Sequence, residues 1–171
     1  SAPAPKTFVY PGEAVETPVV YIPVFPGTNC DYDTAKAFRA AGAEVRTSVL
    51  CNIAGDDVLR SIAEMKEHIR RAHIFVLAGG FSAGDEPDGS AKFIVNVLNN
   101  KDIRDEIHAL TDRGGLILGI CNGFQALVKS GLLPYGRLGM VTKESPTLFR
   151  NDVNRHISQI VSTRVATTAS P

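Results

Sequence analysis

The sequence predicts a three-layer α/β domain with a doubly wound, mostly parallel β-sheet. Two observations predict it. Short apolar runs of strand length alternate with segments in which apolar residues recur at helical spacing. The connections between these segments are short, and repeated strand, helix, strand units pair their strands in parallel through right-handed crossovers. In such sheets, binding and catalytic sites form beyond the carboxyl ends of the strands.

The first half of the chain supplies three predicted strands and two predicted helices. The strands are 19–25, 44–49 and 74–77. The first helix is 34–41, which ends at Gly42, and the second carries Val58, Ile62, Met65 and Ile69 after two aspartates that complement its positive end. Pro23 has no N–H to donate, so it weakens the first strand or places that strand near the edge of the sheet.

The second half supplies two more helices, one more strand and a less regular end. The third helix carries Phe93, Ile94 and Val97, and the fourth carries Ile103, Ile107 and Leu110. The fourth strand is 116–120. Beyond it, residues 132–154 are interrupted by proline and glycine, and the weak alternation over 156–167 suggests a further β segment.

Composition indicates one domain with no strong electrostatic preference. The chain has 171 residues, 44% of them hydrophobic, and 18 basic side chains balance 18 acidic ones. We therefore predict a single domain over 18–171 behind a linker or arm over 1–17, with no nucleic-acid or membrane partner. No apolar run approaches the roughly 20 residues of a membrane helix, and no secretory signal opens the chain, so we expect a cytoplasmic setting.

The strongest motif is the run 119–123, which reads Gly-Ile-Cys-Asn-Gly between the fourth strand and an apolar helical pattern. It predicts a nucleophile elbow, a strained turn that exposes its central residue, here Cys121. A helix N-terminus favours the thiolate, and the N–H of Asn122 is placed to meet an oxyanion. The alternative is a tight turn around a buried cysteine.

The loop after the third strand supplies a second donor. Residues 79–82 read Gly-Gly-Phe-Ser, and the first two lack side chains, so the backbone is able to turn an N–H toward the elbow. Taken alone, the pair Gly79 and Gly80 predicts only an ordinary turn. Together with the elbow at the same sheet edge, it predicts an oxyanion hole.

These motifs resemble those of class I glutamine amidotransferases, whose fold is flavodoxin-like. Residues 118–125 (LGICNGFQ) are similar to the family's nucleophile motif. The segments 25–31, 79–85 and 149–155 resemble the glutaminase domain of phosphoribosylformylglycinamidine synthase, an enzyme of purine biosynthesis. The likeness covers about 18–165 and is nearest to the fused form of that enzyme, while the separate-subunit form stays open.

The resemblance implies a role for each site residue. Cys121 would attack glutamine to form a thioester, Gly80 and Asn122 would be the oxyanion donors, and Phe81, Ser82 and Gln125 would line the glutamine pocket. The ammonia would pass to a synthase domain or subunit, which alone would hold ATP and Mg²⁺. No cofactor and no metal site is expected in this domain, because the three cysteines form no C-x-x-C pair.

One part of the family pattern is not found. The resemblance implies a histidine base in a His-Gly-Glu-Gly-Arg type segment after the elbow, and we find none up to Pro171. We therefore expect this chain alone to be inactive and the end of the domain to be missing. Two alternatives stay open: a cysteine-elbow protein similar to the ThiJ/PfpI superfamily, and a non-catalytic docking module.

Overall fold

The computed structural model of the chain describes residues 15–82 and 91–164. Of these, Glu16–Phe149 form one compact unit, and residue 15 and residues 150–164 belong to a second. No helix in either described stretch is both long enough and apolar enough to cross a membrane. The first unit carries the sheet and the site.

Four parallel strands form the sheet of the first unit. In chain order they are β1 (Val19–Val24), β2 (Glu44–Val49), β3 (Ile74–Leu77) and β4 (Leu116–Gly119), and their order across the sheet is β2-β1-β3-β4. Because the strands are parallel, the segments that follow them all emerge at one edge of the sheet.

Within 15–82 and 91–164, six helices connect or follow the strands. They are α1 (Asp31–Ala40), α2 (Gly55–Arg71), α3 (Lys92–Leu98), α4 (Lys101–Asp112), α5 (Asn122–Ser130) and the short α6 (Leu132–Tyr135).

Alternation along the strands gives the sheet two buried faces. Val20 and Ile22 of β1 pack with Ala35 of α1 on one face. Tyr21 of β1 and Phe75 of β3 point to the other, where they join apolar residues of α2, α4 and α5 in the larger core. Helices thus cover both faces, which confirms the predicted three-layer, mostly parallel architecture.

Two predictions about β1 and its helix need correction. β1 lies between β2 and β3, so the idea that Pro23 places it near an edge is wrong. Proline is tolerated because β1 pairs with β3 at Val20 and Tyr21, before Pro23 is reached. Helix α1 begins at Asp31, three residues before the predicted start, with two aspartates in its first turn where the helix dipole favours them.

The predicted β segment over 156–167 is also wrong for the residues that are described. Residues 156–164 take no regular secondary structure, and 165–167 lie outside the described ranges. Ile157, Ile160 and Val161 are exposed. Alternation alone does not make a strand, because a strand also needs a hydrogen-bonded neighbour, and the described residues supply none here.

Candidate active site

Cys121 forms a strained turn between β4 and α5. Its backbone has φ 52° and ψ −110°, a combination that non-glycine residues rarely adopt and that costs about 1–3 kcal/mol. The residue is exposed, and its thiol is not in a disulfide. The alternative of a buried structural cysteine therefore does not describe this residue.

Close packing explains why a glycine stands two residues after Cys121. A Cβ on Gly123 would lie 2.0 Å from the carbonyl oxygen of Leu77 in β3, well inside contact distance. Helix α5 therefore starts directly against the sheet, and it holds the elbow at the carboxyl end of β3. This is the geometry that the motif predicts.

The glycine loop, residues 79–82 after β3, is hydrogen-bonded to the loop that follows β1. The N–H of Phe81 donates to the carbonyl of Gly27 at 3.0 Å, and the N–H of Asn29 donates to the carbonyl of Gly79 at 3.4 Å. These bonds flank an antiparallel bridge between Thr28 and Gly80. In a pair flanked this way, each residue's own N–H points away from its partner, so the Gly80 N–H is directed out of the bridge.

Close packing against the loop after β1 also restricts position 80 to glycine. Its φ is +147°, and a Cβ there would stand 2.5 Å from the carbonyl oxygen of Gly27. Sequence reasoning did not single out Gly27, although a Pro-Gly pair directly after a strand is a turn signal. The loop after β1 therefore positions the proposed oxyanion donor.

The side chain of Asn122 joins the glycine loop to α5. Its amide oxygen accepts from the N–H of Ser82 at 3.3 Å, and its amide nitrogen donates to the side-chain oxygen of Gln125 at 3.1 Å. Both Asn122 and Ser82 are buried, whereas the Phe81 ring is 78% exposed. Three of the predicted site residues are thus linked in one chain of contacts beside Cys121, and Phe81 lies at their solvent side.

A comparison with known protein families shows which family the chain belongs to. A profile of the CobB/CobQ-like glutamine amidotransferase domain matches residues 17–171. The chain belongs to that family. The predicted resemblance to glutamine amidotransferases is thereby confirmed.

Several proteins of similar sequence are named phosphoribosylformylglycinamidine synthase subunit PurQ. That of Roseobacter denitrificans is 36% identical over 147 residues, which are 86% of this chain and 53% of the relative. That of Koribacter versatilis is 32% identical over 150 residues, which are 86% of this chain and 52% of the relative. That of Dehalococcoides mccartyi is 38% identical over 109 residues, which are 64% of this chain and 38% of the relative. The chain spans about half of these relatives' length, or less.

Two solved structures are similar to this amidotransferase domain over part of its length. PurLQS from Thermotoga maritima gives a TM-score of 0.49 at 31% identity, over 68% of this chain and 46% of that one. The putative protease I from Bacteroides thetaiotaomicron gives a TM-score of 0.46 at 19% identity, over 75% of this chain and 83% of that one.

The three histidines of Glu16–Phe149 make contacts elsewhere in the amidotransferase domain. His68 stacks on Tyr21 with ring centroids 4.8 Å apart, and His73 accepts from the N–H of Val19 at 2.9 Å. His108 accepts from the N–H of Leu138 at 3.0 Å. Burial, and then the nearby Arg137 and Arg104 charges, lower the pKa of His108. Each ring therefore has a structural role.

Metal ligands do not cluster in the described part of this domain. Within 15–82 and 91–164, no three His, Cys, Asp or Glu side chains are arranged to hold a metal ion. Asp85, the last residue of the segment 79–85, lies outside the described residues.

Proposed function

We propose that this domain releases ammonia from glutamine through a thioester on Cys121. The observation that carries the proposal is the position of Cys121, exposed at positive φ between β4 and α5, next to the clamped glycine loop. Gly79 meets the elbow directly, because a Cβ on Gly79 would lie 3.4 Å from the Cβ of Cys121. Nucleophile and oxyanion loop thus share one sheet edge.

The proposed chemistry uses groups at these positions. The Cys121 thiolate attacks the side-chain carbonyl carbon of glutamine, and a carbon–sulfur bond forms. The N–H groups of Gly80 and Asn122 stabilise the oxyanion, and ammonia leaves with a proton from a general acid. Water then attacks the thioester, glutamate departs and the thiolate returns.

Three further residues are proposed to shape the glutamine pocket. Ser82 and Gln125 are held by the two amide contacts of Asn122, so their positions depend on one another. Phe81 presents its exposed ring at the rim of the same loop. Ordered polar groups of this kind fix the orientation of a small polar substrate.

We further propose that the unit Glu16–Phe149 needs an additional base for turnover. A base must come within hydrogen-bond reach of the proton that it moves, and His68, His73 and His108 are engaged in other contacts. The expected behaviour is a reactive Cys121 with little or no glutaminase turnover. A segment with a histidine and an acidic partner would complete the site.

The partner in this proposal is a synthase domain or subunit that consumes the ammonia. The relatives' name supports a role in making formylglycinamidine ribonucleotide. In this proposal ATP and Mg²⁺ bind to the synthase part and not to this domain. A cytoplasmic location suits a step of nucleotide synthesis.

The test is covalent labelling by a glutamine analogue. The chain is incubated with 6-diazo-5-oxo-norleucine and digested, and the labelled peptide is identified by mass spectrometry. Cys121→Ala should abolish labelling, while Cys51→Ser, which removes an exposed cysteine after β2, should leave it unchanged. Excess glutamine should slow labelling, because both compounds occupy one pocket.

Other outcomes would overturn the proposal. Labelling that is spread over all three cysteines, or that glutamine does not slow, would mean that no glutamine pocket exists. Glutamine-insensitive alkylation of Cys121 alone would instead favour a cysteine-elbow protein with another substrate. A parallel glutaminase assay, with and without a partner synthase, tests the need for an additional base.

A further inference from the structure

Two cysteines converge on Gly79. β1 and β4 lie on either side of β3, and Cys30 follows β1 while Cys121 follows β4. The Sγ of Cys30 lies 3.6 Å, and the Cβ of Cys121 3.4 Å, from the point where a Cβ on Gly79 would stand. The missing side chain of Gly79 therefore leaves a gap that both cysteines border.

The backbone holds Cys30 in that place. Its N–H donates to the carbonyl of Gly79 at 3.4 Å, next to the bond from Asn29 to the same oxygen. Cys30 also lies between the end of β1 and the start of α1, in a loop without regular secondary structure. Its side chain is thus held near Gly79, where the thiol donates to the amide oxygen of Asn29 at 3.3 Å.

We propose that Cys30 and Cys121 are a redox pair that closes to a disulfide across Gly79 when the protein meets a peroxide. A disulfide requires Cβ atoms about 3.5–4.5 Å apart. Rotation about the Cα–Cβ bonds turns the two sulfurs toward the gap but leaves the Cβ atoms in place, so closure also requires the Cys30 loop to shift until the two Cβ atoms come within that range. Both residues are exposed, so the oxidant reaches them.

The chemistry balances with hydrogen peroxide as oxidant. The Cys121 thiolate attacks one peroxide oxygen, so that a sulfur–oxygen bond forms, the oxygen–oxygen bond breaks and hydroxide leaves. The Cys30 thiolate then attacks that sulfur, the disulfide forms and a second hydroxide leaves. The two thiol protons convert both hydroxides to water, and the peroxide is reduced while two sulfurs are oxidised.

Cys51 provides an internal contrast. It is also exposed and follows β2, at the far side of the sheet from β4. With adjacent strands about 4.8 Å apart, three strand spacings separate β2 from β4, roughly 14 Å. Cys51 therefore should not form the cross-link with Cys121.

The experiment maps the cross-link directly. Reduced protein is treated with one equivalent of hydrogen peroxide, remaining thiols are alkylated, and a non-reducing digest is analysed by mass spectrometry. A peptide joining Cys30 to Cys121 is expected in the wild-type protein and in Cys51→Ser. In Cys30→Ser, one equivalent should leave Cys121 as a sulfenic acid, and a second equivalent should carry it to sulfinic acid, because its resolving thiol is gone.

A Gly79→Ala variant tests the gap without touching either thiol. The added methyl would meet its neighbours at 3.4–3.6 Å, which is ordinary contact, so the loop should keep its shape. The methyl occupies the space in which the sulfurs must meet, so the yield of cross-link should fall at least about tenfold. Circular dichroism confirms that the variant is folded.

The functional consequence, unlike the cross-link itself, rests on the proposed function. Peroxide should lower labelling by 6-diazo-5-oxo-norleucine at least about tenfold, and dithiothreitol should restore it. If reduced protein shows no labelling at all, the proposed function fails while the cross-link is still measurable. Oxidation of Cys121 without a Cys30 cross-link in wild-type protein, or an equal yield of Cys51 cross-links, would overturn the redox pair.

Discussion

The side-chain oxygen of Asn122 accepts a hydrogen bond from the backbone N–H of Ser82, and this 3.3 Å contact ties the glycine loop to the first turn of α5. The two residues are 40 positions apart in the chain and both are buried. The same side chain holds Gln125. The loop that carries one proposed oxyanion donor is therefore hydrogen-bonded to the helix that carries the other.

Removing this hydrogen bond should slow the reaction of Cys121 with a glutamine analogue. Asn122→Ala takes away both side-chain contacts, so the rate of labelling by 6-diazo-5-oxo-norleucine should fall about tenfold to a hundredfold, as expected when reacting groups are misplaced by about 1 Å. Lys129→Ala, in the last turn of the same helix, is the control and should label normally. An unchanged labelling rate in folded Asn122→Ala would show that the side-chain contacts of Asn122 do not position the groups around Cys121.

Gly123 should not accept a side chain. In Gly123→Ala the methyl would lie 2.0 Å from the Leu77 carbonyl oxygen, so α5 must shift from the sheet, and the free energy of unfolding should drop by about 2 kcal/mol or more. Gly55→Ala is the matched control, because a Cβ there meets nothing within 4 Å, and it should raise stability by about 0.5 kcal/mol. Urea unfolding measures both, and equal effects would contradict the packing argument.

Arg113 should stabilise the junction between α2 and β3. One of its guanidinium nitrogens donates to the carbonyls of Ile69, Arg70 and Ala72 at 2.8, 3.1 and 3.0 Å. Arg113→Ala should therefore lower the free energy of unfolding by about 1–2 kcal/mol, since these carbonyls lose a charged donor. Arg60→Ala, which breaks only an exposed pair with Asp57, should cost less than about 0.5 kcal/mol. A cost for Arg113→Ala no larger than that would contradict this role.

His108 should make stability depend on pH in the weakly acidic range. Its pKa in the folded protein is lowered from the ordinary 6.5, first by burial and then by Arg137 and Arg104, and its ring accepts a hydrogen bond from Leu138. Below pH 6.5 the unfolded chain therefore binds more protons at this residue, so stability falls as the pH drops toward the folded-state pKa.

The His108→Gln variant isolates this effect. Its amide oxygen is able to accept from the Leu138 N–H but does not titrate, so the loss of stability between pH 7.5 and 5.5 should be smaller than in the wild-type protein. Chemical denaturation at the two pH values provides the comparison. An equal loss in both proteins would assign the pH dependence to other groups.

Elements with strong local patterns were predictable from the sequence. The bounds of β2 and β3 agree with the predicted strands 44–49 and 74–77, and Cys121 stands at the predicted elbow because its flanking glycines, strand and helix all give the same signal. The helix start at Asp31 was missed because its acidic first turn carries no apolar periodicity. The internal position of β1 does not follow from the sequence, because the effect of Pro23 depends on where the pairing of β1 with β3 ends.

The sequence by itself determined the alternation of strands and helices, the strained turn at Cys121 and the glycines that allow it, because these depend on residues close together in the chain. Only the tertiary structure decided that β3 lies between β1 and β4, that Asn122 holds Ser82, and that Cys30 and Cys121 border the same gap. Those relationships arise from crossovers that bring distant segments to one sheet edge. Their geometry is set by the packing of helices on the sheet and not by local spacing.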